Sequence, residues 1–190
     1  MDEIQSLDRE LLLQINGQHS PFWDAVMVFL SNKFVWIPFY LLIIALLLYF
    51  YKRRGGLMIL TLAASIGVAD FVSSGILKPL VERLRPCHDA VIGAYVHVVE
   101  GCGGQYGFVS SHAANSFGLA MFLSLLLPAR QWGLKVFLFI WAAAISFSRM
   151  YLGVHYPGDI LVGGTIGCLV AWLGTKAYAA ILRRFPYWSA

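Results

Sequence analysis

Charged side chains are scarce in this chain, and their scarcity excludes most classes of soluble protein. Of the 190 residues, 13% are charged and 59% are hydrophobic, whereas roughly a quarter of a typical soluble domain is charged. The mean hydropathy is +0.70, and long runs of the chain carry no charge at all. The composition therefore predicts a polytopic membrane protein. No internal repeat, low-complexity tract or long linker interrupts it, so residues 1–190 are predicted to form a single domain.

Five apolar runs predict the spans of an all-α membrane helix bundle. Phe34–Tyr51 has 18 residues without a charge, enough to cross a hydrocarbon core of about 30 Å. Val136–Ser148 reaches spanning length only when residues 132–135 join it, with Lys135 extending to the interface. Whether Pro21–Leu30 continues into the first run decides between five and six transmembrane helices. The remaining predicted spans are Gly55–Leu77, Ala113–Ala129 and Ile160–Leu182.

The N-terminal segment lacks the basic stretch that opens a secretory signal, so no cleavable signal peptide is predicted. Residues 1–16 instead predict a short amphipathic helix, which would lie in the membrane interface. Its apolar face consists of Ile4, Leu7, Leu11 and Ile15.

The distribution of basic residues predicts the orientation of the bundle. Lys52-Arg53-Arg54 follows the first span and is expected to face the cytoplasm. Alternation of the spans then puts the loop 82–111 and the segment 149–159 outside, as in a bacterial inner-membrane protein whose site faces the periplasm. The net charge of +4 fits basic inner loops and indicates no nucleic-acid partner. The basic residues that fall outside need another explanation, and they are Lys78, Arg83, Arg85 and Arg149.

Cysteine is rare, with three residues in the chain. Cys168 lies in the last span and is predicted to be a small packing residue. Cys87 and Cys102 share the outer loop, where a disulfide would close a loop of about 15 residues and contribute roughly 3 kcal/mol. Two free thiols fit the sequence equally well.

The first of three polar clusters lies at the outer end of the second span. Lys78 and Arg85 are seven residues apart, so on a helix ended by Pro86 they would share a face. Arg83 and Glu82 are expected to form a solvated flank.

The second cluster, Ser110-Ser111-His112, opens the third span. Either serine is a natural N-cap. The first turn of such a helix offers free backbone N–H groups and the positive end of the helix dipole, which favour an anion. His112 could reach an anion held there.

The third cluster is the segment SRMYLGVHYPGD. Arg149 offers a planar set of donors that suits a phosphate. His155 could attack phosphorus, and Asp159, in the first helical turn after Pro157, could hold the other ring nitrogen.

The shared location of the three clusters argues for one site. Separately, they could be a basic flank, an interfacial histidine and a turn with a helix-start carboxylate. Together they supply three cations, two histidines, a carboxylate and a helix N-terminus, a set that suits phosphoryl transfer. Two histidines and an aspartate could bind Zn²⁺, but three neighbouring cations would repel it. The prediction is therefore a metal-free site without a cofactor.

These motifs resemble those of the type 2 phosphatidic acid phosphatases, a family of integral membrane lipid phosphatases. The first family motif is Lys-(six residues)-Arg-Pro and the third is Ser-Arg-(five residues)-His-(three residues)-Asp. Both are matched in full, the first by Lys78, Arg85 and Pro86, and the third by Ser148, Arg149, His155 and Asp159.

The second family motif, Pro-Ser-Gly-His, is half kept. Ser110 and His112 match it, whereas Val109 replaces the proline and Ser111 replaces the glycine. The family glycine permits close approach of its N–H to a phosphate oxygen. Serine keeps that N–H, but its Cβ could crowd the phosphate and alter the accepted substrate shape.

The resemblance implies a metal-independent lipid phosphatase that works through a phosphohistidine. His155 would attack phosphorus, Asp159 would orient it, and His112 would protonate the leaving oxygen and then activate water. Ser148 is given a supporting role. The phosphate would be held by Lys78, Arg85, Ser110, Ser111 and Arg149.

Substrate and alternatives stay open at this level. Polyprenyl diphosphates, lipid A phosphates and phosphatidylglycerol phosphate are all candidates, and the outward orientation favours the first two. A non-catalytic membrane transporter or scaffold that retained an anion pocket is the alternative. Vanadate-dependent haloperoxidases share such a pocket but are usually soluble. Asp70, an ionisable group within a span, either faces the site or bonds a neighbouring helix.

Overall fold

The computed structural model describes residues 2–189, and within them the chain forms seven α-helices and no extended strand. Met1 and Ala190 lie outside the described residues. A π-helical segment, Phe71–Leu77, joins the third helix to the fourth. The all-α prediction is confirmed. The helices are α1 (Asp2–Asn16), α2 (Pro21–Ser31), α3 (Ile37–Asp70), α4 (Lys78–Val81), α5 (Ser111–Leu126), α6 (Trp132–Tyr151) and α7 (Pro157–Arg184).

Among residues 2–189, three helical stretches are long and apolar enough to cross a membrane, namely Ile37–Val81, Ala129–Tyr151 and Pro157–Arg184. The first is interrupted at Lys52, whose φ of 53° and ψ of −124° are not helical. Because side chains from both sides of this break line one groove, the chain folds back on itself there. The break therefore separates the first two predicted spans, while the count of five to six spans stays a prediction.

Glycines on α7 bring its backbone into contact with α5. A Cβ on Gly163 would lie 2.5 Å from the carbonyl oxygen of Ser110, and one on Gly167 would lie 2.0 Å from that of Ala114. Small residues four apart allow such close helix packing in membrane proteins. As a result the Ser110 N–H donates to the carbonyl oxygen of Asp159 at 3.1 Å, and the starts of the two helices meet.

Helix α1 lies against α6 and α7. Its protein-facing side includes Asp8 and Leu12, which are buried, whereas Ile4 and Leu7 are 75% and 55% exposed. The predicted amphipathic helix is thus present. Its location in the membrane interface stays a prediction.

The segment between α4 and α5 corrects one expectation. Lys78 and Arg85 do not share a helix, because α4 ends at Val81 and Glu82 adopts a left-handed φ of 50°. Arg85 is extended, as a residue before proline prefers, and its N–H donates to the carbonyl oxygen of Gln105 at 3.0 Å. The loop thus turns back and pairs with itself.

Candidate active site

His155 and Asp159 form a buried pair at the start of α7. His155 Nδ1 lies 3.3 Å from Asp159 Oδ2, and the residues are 1% and 0% exposed. The same carboxylate oxygen accepts the Tyr156 N–H at 3.0 Å. A proton on Nδ1 bonded to the carboxylate leaves the lone pair on Nε2. The pair can therefore present a nucleophilic nitrogen in a fixed orientation.

The electrostatics of His155 keep it neutral near pH 7. Burial lowers its pKa to about 4, Asp159 opposes that change, and the nearby guanidinium groups of Arg85 and Arg149 add to it. A neutral imidazole is the nucleophilic form, whereas the imidazolium has no free lone pair.

The start of α5 forms a second part of the site. Ser110 is the N-cap, and its buried hydroxyl oxygen accepts the Ala113 N–H at 3.4 Å. Of the two serines considered, the cap is thus Ser110, and its O–H remains able to donate. His112 lies in the first turn and interacts electrostatically with Lys78, Arg149 and His155.

Three cations from separate elements converge here. The Lys78 ammonium lies 3.4 Å from Ser74 Oγ, and Arg85 Nε donates to the Tyr106 carbonyl oxygen at 3.3 Å. Arg149 donates to the hydroxyl of Ser31. Lys78 is within electrostatic range of both arginines, and burial lowers the pKa of Arg85. Such a concentration of partly desolvated positive charge favours an anion.

A cavity of about 250 Å³ opens onto the start of α5. Ser111 and His112 line it together with Ser31, Lys33 and Asp70. Asp70 accepts a bond from Asn115 Nδ2 on α5 at 3.0 Å. Asp70 therefore bonds a neighbouring helix and also borders the cavity, so both of the roles considered for it from the sequence are present. The contribution of Ser31 from α2 has no motif in the sequence that could have revealed it.

Arg83 is not the solvated flank that was expected. Its side chain is 22% exposed, and Nη1 donates to Asp159 Oδ1 at 2.9 Å. Nη2 donates to Asp8 Oδ2 at 2.6 Å, and the guanidinium lies 4.0 Å from the ring centroid of Tyr156. The one signal for this role in the sequence is a positive charge at a face that the charge distribution predicts to be the outer one.

The loop between α4 and α5 contains a disulfide between Cys87 and Cys102, which resolves the choice that the sequence left open between a disulfide and two free thiols. Gly107, in the same loop, packs against Asp159 and Arg85, since a Cβ there would be 3.1 Å from Asp159 Oδ2 and 3.2 Å from Arg85 Cγ.

Within residues 2–189, one group of potential metal ligands lies within mutual reach, and two of its three members are the bonded cysteines. The third is His88.

Comparison with known proteins matches this arrangement to one family. The family model described as the PAP2 superfamily matches residues 57–183. The chain is 43% identical to a lipid A 4′-phosphatase of Bacteroides thetaiotaomicron over 173 residues, covering 90% of this chain and 76% of that protein. It is 32% identical to an undecaprenyl-diphosphatase of Sulfolobus acidocaldarius over 170 residues, covering 88% of this chain and 76% of that protein.

A solved structure shares the fold. It is a transmembrane PAP2-type phosphatidylglycerolphosphate phosphatase of Bacillus subtilis, similar with a TM-score of 0.72 and 24% identity. The match covers 97% of this chain and 90% of that chain.

Proposed function

The chain belongs to the PAP2 superfamily and is an integral membrane lipid phosphatase, and from this premise we propose that its substrate is a phosphate monoester of lipid A. The observation that carries the proposal is the buried His155–Asp159 pair surrounded by three cations. The 43% identity to a lipid A 4′-phosphatase supports the choice of lipid and of the 4′ position. The cleavage is proposed to need no metal ion.

In the first step the lone pair on His155 Nε2 attacks phosphorus. A nitrogen–phosphorus bond forms as the bond from phosphorus to the sugar oxygen breaks. The negative charge of the bound phosphate favours the protonated form of His112. His112 donates this proton to the leaving oxygen, so the dephosphorylated lipid departs as a neutral alcohol. Asp159 accepts the Nδ1–H of His155 throughout, which stabilises the positive charge that the ring acquires.

In this proposal, cationic side chains and neutral donors at the start of α5 hold the phosphoryl oxygens. A planar guanidinium can bind two oxygens at once, whereas an ammonium acts as a point charge. The hydroxyl of Ser110 and the backbone N–H of Ser111 add neutral donors at the helix start. Ser111 keeps the N–H that the family glycine supplies, so binding is retained. The proposed cationic ligands are Lys78, Arg85 and Arg149.

In the second step water replaces the histidine. His112, neutral after the first step, takes a proton from water, and the resulting hydroxide attacks phosphorus. The nitrogen–phosphorus bond breaks, its electron pair returns to His155, and inorganic phosphate leaves. His112 is again protonated, so the cycle closes without an external proton donor.

The proposed orientation places this site at the outer, periplasmic face. Arg183 and Arg184 end α7, the helix whose opposite end carries Asp159. Arg53 lies 4.4 Å from the ring centroid of Tyr187, so the basic residues after the first span join the same end of the bundle. Positive charge gathered at the end away from the site supports a cytoplasmic location for that end.

Phosphate release from a panel of lipids tests the proposal. Purified protein in detergent with EDTA is expected to release phosphate from lipid A faster than from phosphatidylglycerol phosphate, and His155→Ala is expected to abolish release. Faster release from undecaprenyl diphosphate would favour the second candidate, which the 32% identical diphosphatase supports. A requirement for Mg²⁺, or full activity of His155→Ala, would contradict the mechanism. Absence of release from every lipid would favour the non-catalytic transporter or scaffold.

A further inference from the structure

Asp8 is a buried carboxylate on the N-terminal helix that the mechanism above does not use. It lies on the protein-facing side of α1 and is 8% exposed. Its Oδ1 accepts the backbone N–H of Gly158 at 2.8 Å, and its Oδ2 accepts Arg83 Nη2 at 2.6 Å. A Cβ on Gly158 would lie 2.8 Å from Asp8 Oδ2. The aspartate is thus fitted against the first turn of α7.

Arg83 connects this carboxylate to the nucleophile. The guanidinium uses one nitrogen for Asp8 and the other for Asp159 Oδ1, at 2.6 and 2.9 Å. The remaining oxygen of Asp159 faces His155 Nδ1 at 3.3 Å. Ionisable side chains therefore form a continuous line of contacts, which runs from Asp8 through Arg83 and Asp159 to His155. The planar fork of arginine can bridge two carboxylates in this way, whereas lysine has a single nitrogen.

The charges in this line explain why two carboxylates are needed. Arg83 alone would neutralise Asp159 and weaken its attraction for the charged ring that forms on His155. Asp8 balances Arg83, so the cluster retains one net negative charge. That charge lies beside the ring that becomes positive when it is phosphorylated.

We propose that Asp8 is a positioning residue for the hydrolytic reaction, and that it acts through Arg83 to fix the orientation and effective charge of Asp159. Helix α1 is accordingly part of the catalytic apparatus. The inference rests on the proposed phosphohistidine mechanism and is independent of which lipid carries the phosphate.

The neighbouring residue on α1 supplies a matched comparison. Arg9 donates to Asp89 Oδ2 at 2.9 Å, and Tyr156 O–H donates to the same oxygen at 2.7 Å. This second ion pair anchors α1 to the loop after α4, and it is linked to Asp159 through Tyr156, whose backbone N–H donates to Asp159 Oδ2. Glu10 is exposed and provides a variant that removes a carboxylate from the same helix without affecting either ion pair.

The test compares steady-state hydrolysis of phosphatidic acid, a simple lipid phosphate, in detergent. Asp8→Asn is expected to lower kcat about 10- to 100-fold, the range for losing a hydrogen bond to a charged group, with KM within about twofold. Asp8→Glu restores the charge and is expected to recover part of kcat. Glu10→Gln is expected to have the kcat and melting temperature of the wild type. Arg9→Gln is expected to have a lower melting temperature with little loss of kcat.

A wild-type kcat in Asp8→Asn would overturn the inference. So would equal losses of kcat in Asp8→Asn and Arg9→Gln at equal losses of melting temperature, because anchoring of α1 alone would then explain both. Wild-type protein that hydrolyses phosphatidic acid but not lipid A would contradict the substrate proposal and leave the comparison of variants intact.

Discussion

The two sides of the proposed phosphate site are built in different ways. On the bundle side, α5 and α7 meet through backbone contact at Gly163 and Gly167, which brings the start of one helix to the start of the other. On the outer side, α1 and the loop after α4 are held by ion pairs and a disulfide. In the proposed mechanism, close packing fixes the position of the reacting groups, whereas the ion pairs adjust the charge around them. His155, the proposed nucleophile, lies where the two sides meet.

The largest effect is expected from breaking the bundle side. Gly167→Val puts side-chain atoms where a Cβ alone would lie 2.0 Å from the Ala114 carbonyl oxygen. Because backbone cannot yield as a flexible side chain can, α5 and α7 must separate, at about 3 kcal/mol or more. Phosphate release and the melting temperature in detergent should both fall sharply. Gly133→Ala is the control, since nothing lies within 4 Å of its Cβ position, and wild-type behaviour of Gly167→Val would refute the packing argument.

This division also explains what the sequence could predict. The bundle side depends on local signals, namely the serine cap at Ser110 and the four-residue spacing of His155 and Asp159. Both lie within one turn of a helix start, where geometry follows from the order of residues. The composition likewise predicted the all-α membrane bundle, because apolar runs are also local.

The outer side could not be predicted in the same manner. The partners of Arg83 lie 75 and 76 residues away in the chain, and Asp8 is 150 residues from Gly158. No spacing rule connects such residues, so the sequence alone predicts a solvent-exposed side chain for Arg83. The prediction that Lys78 and Arg85 share a helix was also wrong. The seven-residue spacing carries no information about Glu82, whose left-handed conformation ends the helix between them.

A smaller effect is expected from opening the outer side. Replacing Cys87 and Cys102 together by serine releases a loop whose ends are 15 residues apart, and the chain-entropy model assigns such a loop about 3 kcal/mol. The free energy of unfolding should fall by that order, as measured by thermal melting with and without reductant. Hydrolysis at low temperature should persist, because helices α5 and α7 are untouched. Cys168→Ser is the matched control, and loss of activity without loss of stability would show that the loop positions the site directly.

The smallest effect is expected at the junction of the two sides, where His155 titrates. The folded protein binds a proton there with a pKa of about 4, whereas the ordinary value is 6.5. Between these values the unfolded chain binds more protons, so the free energy of unfolding falls as the pH falls. Thermal melts from pH 6.5 to pH 5 should lose about 1.5 kcal/mol from this group. His155→Asn lacks the titrating ring and should lose correspondingly less over the same interval, so parallel profiles for the two proteins would mean that burial does not keep His155 neutral.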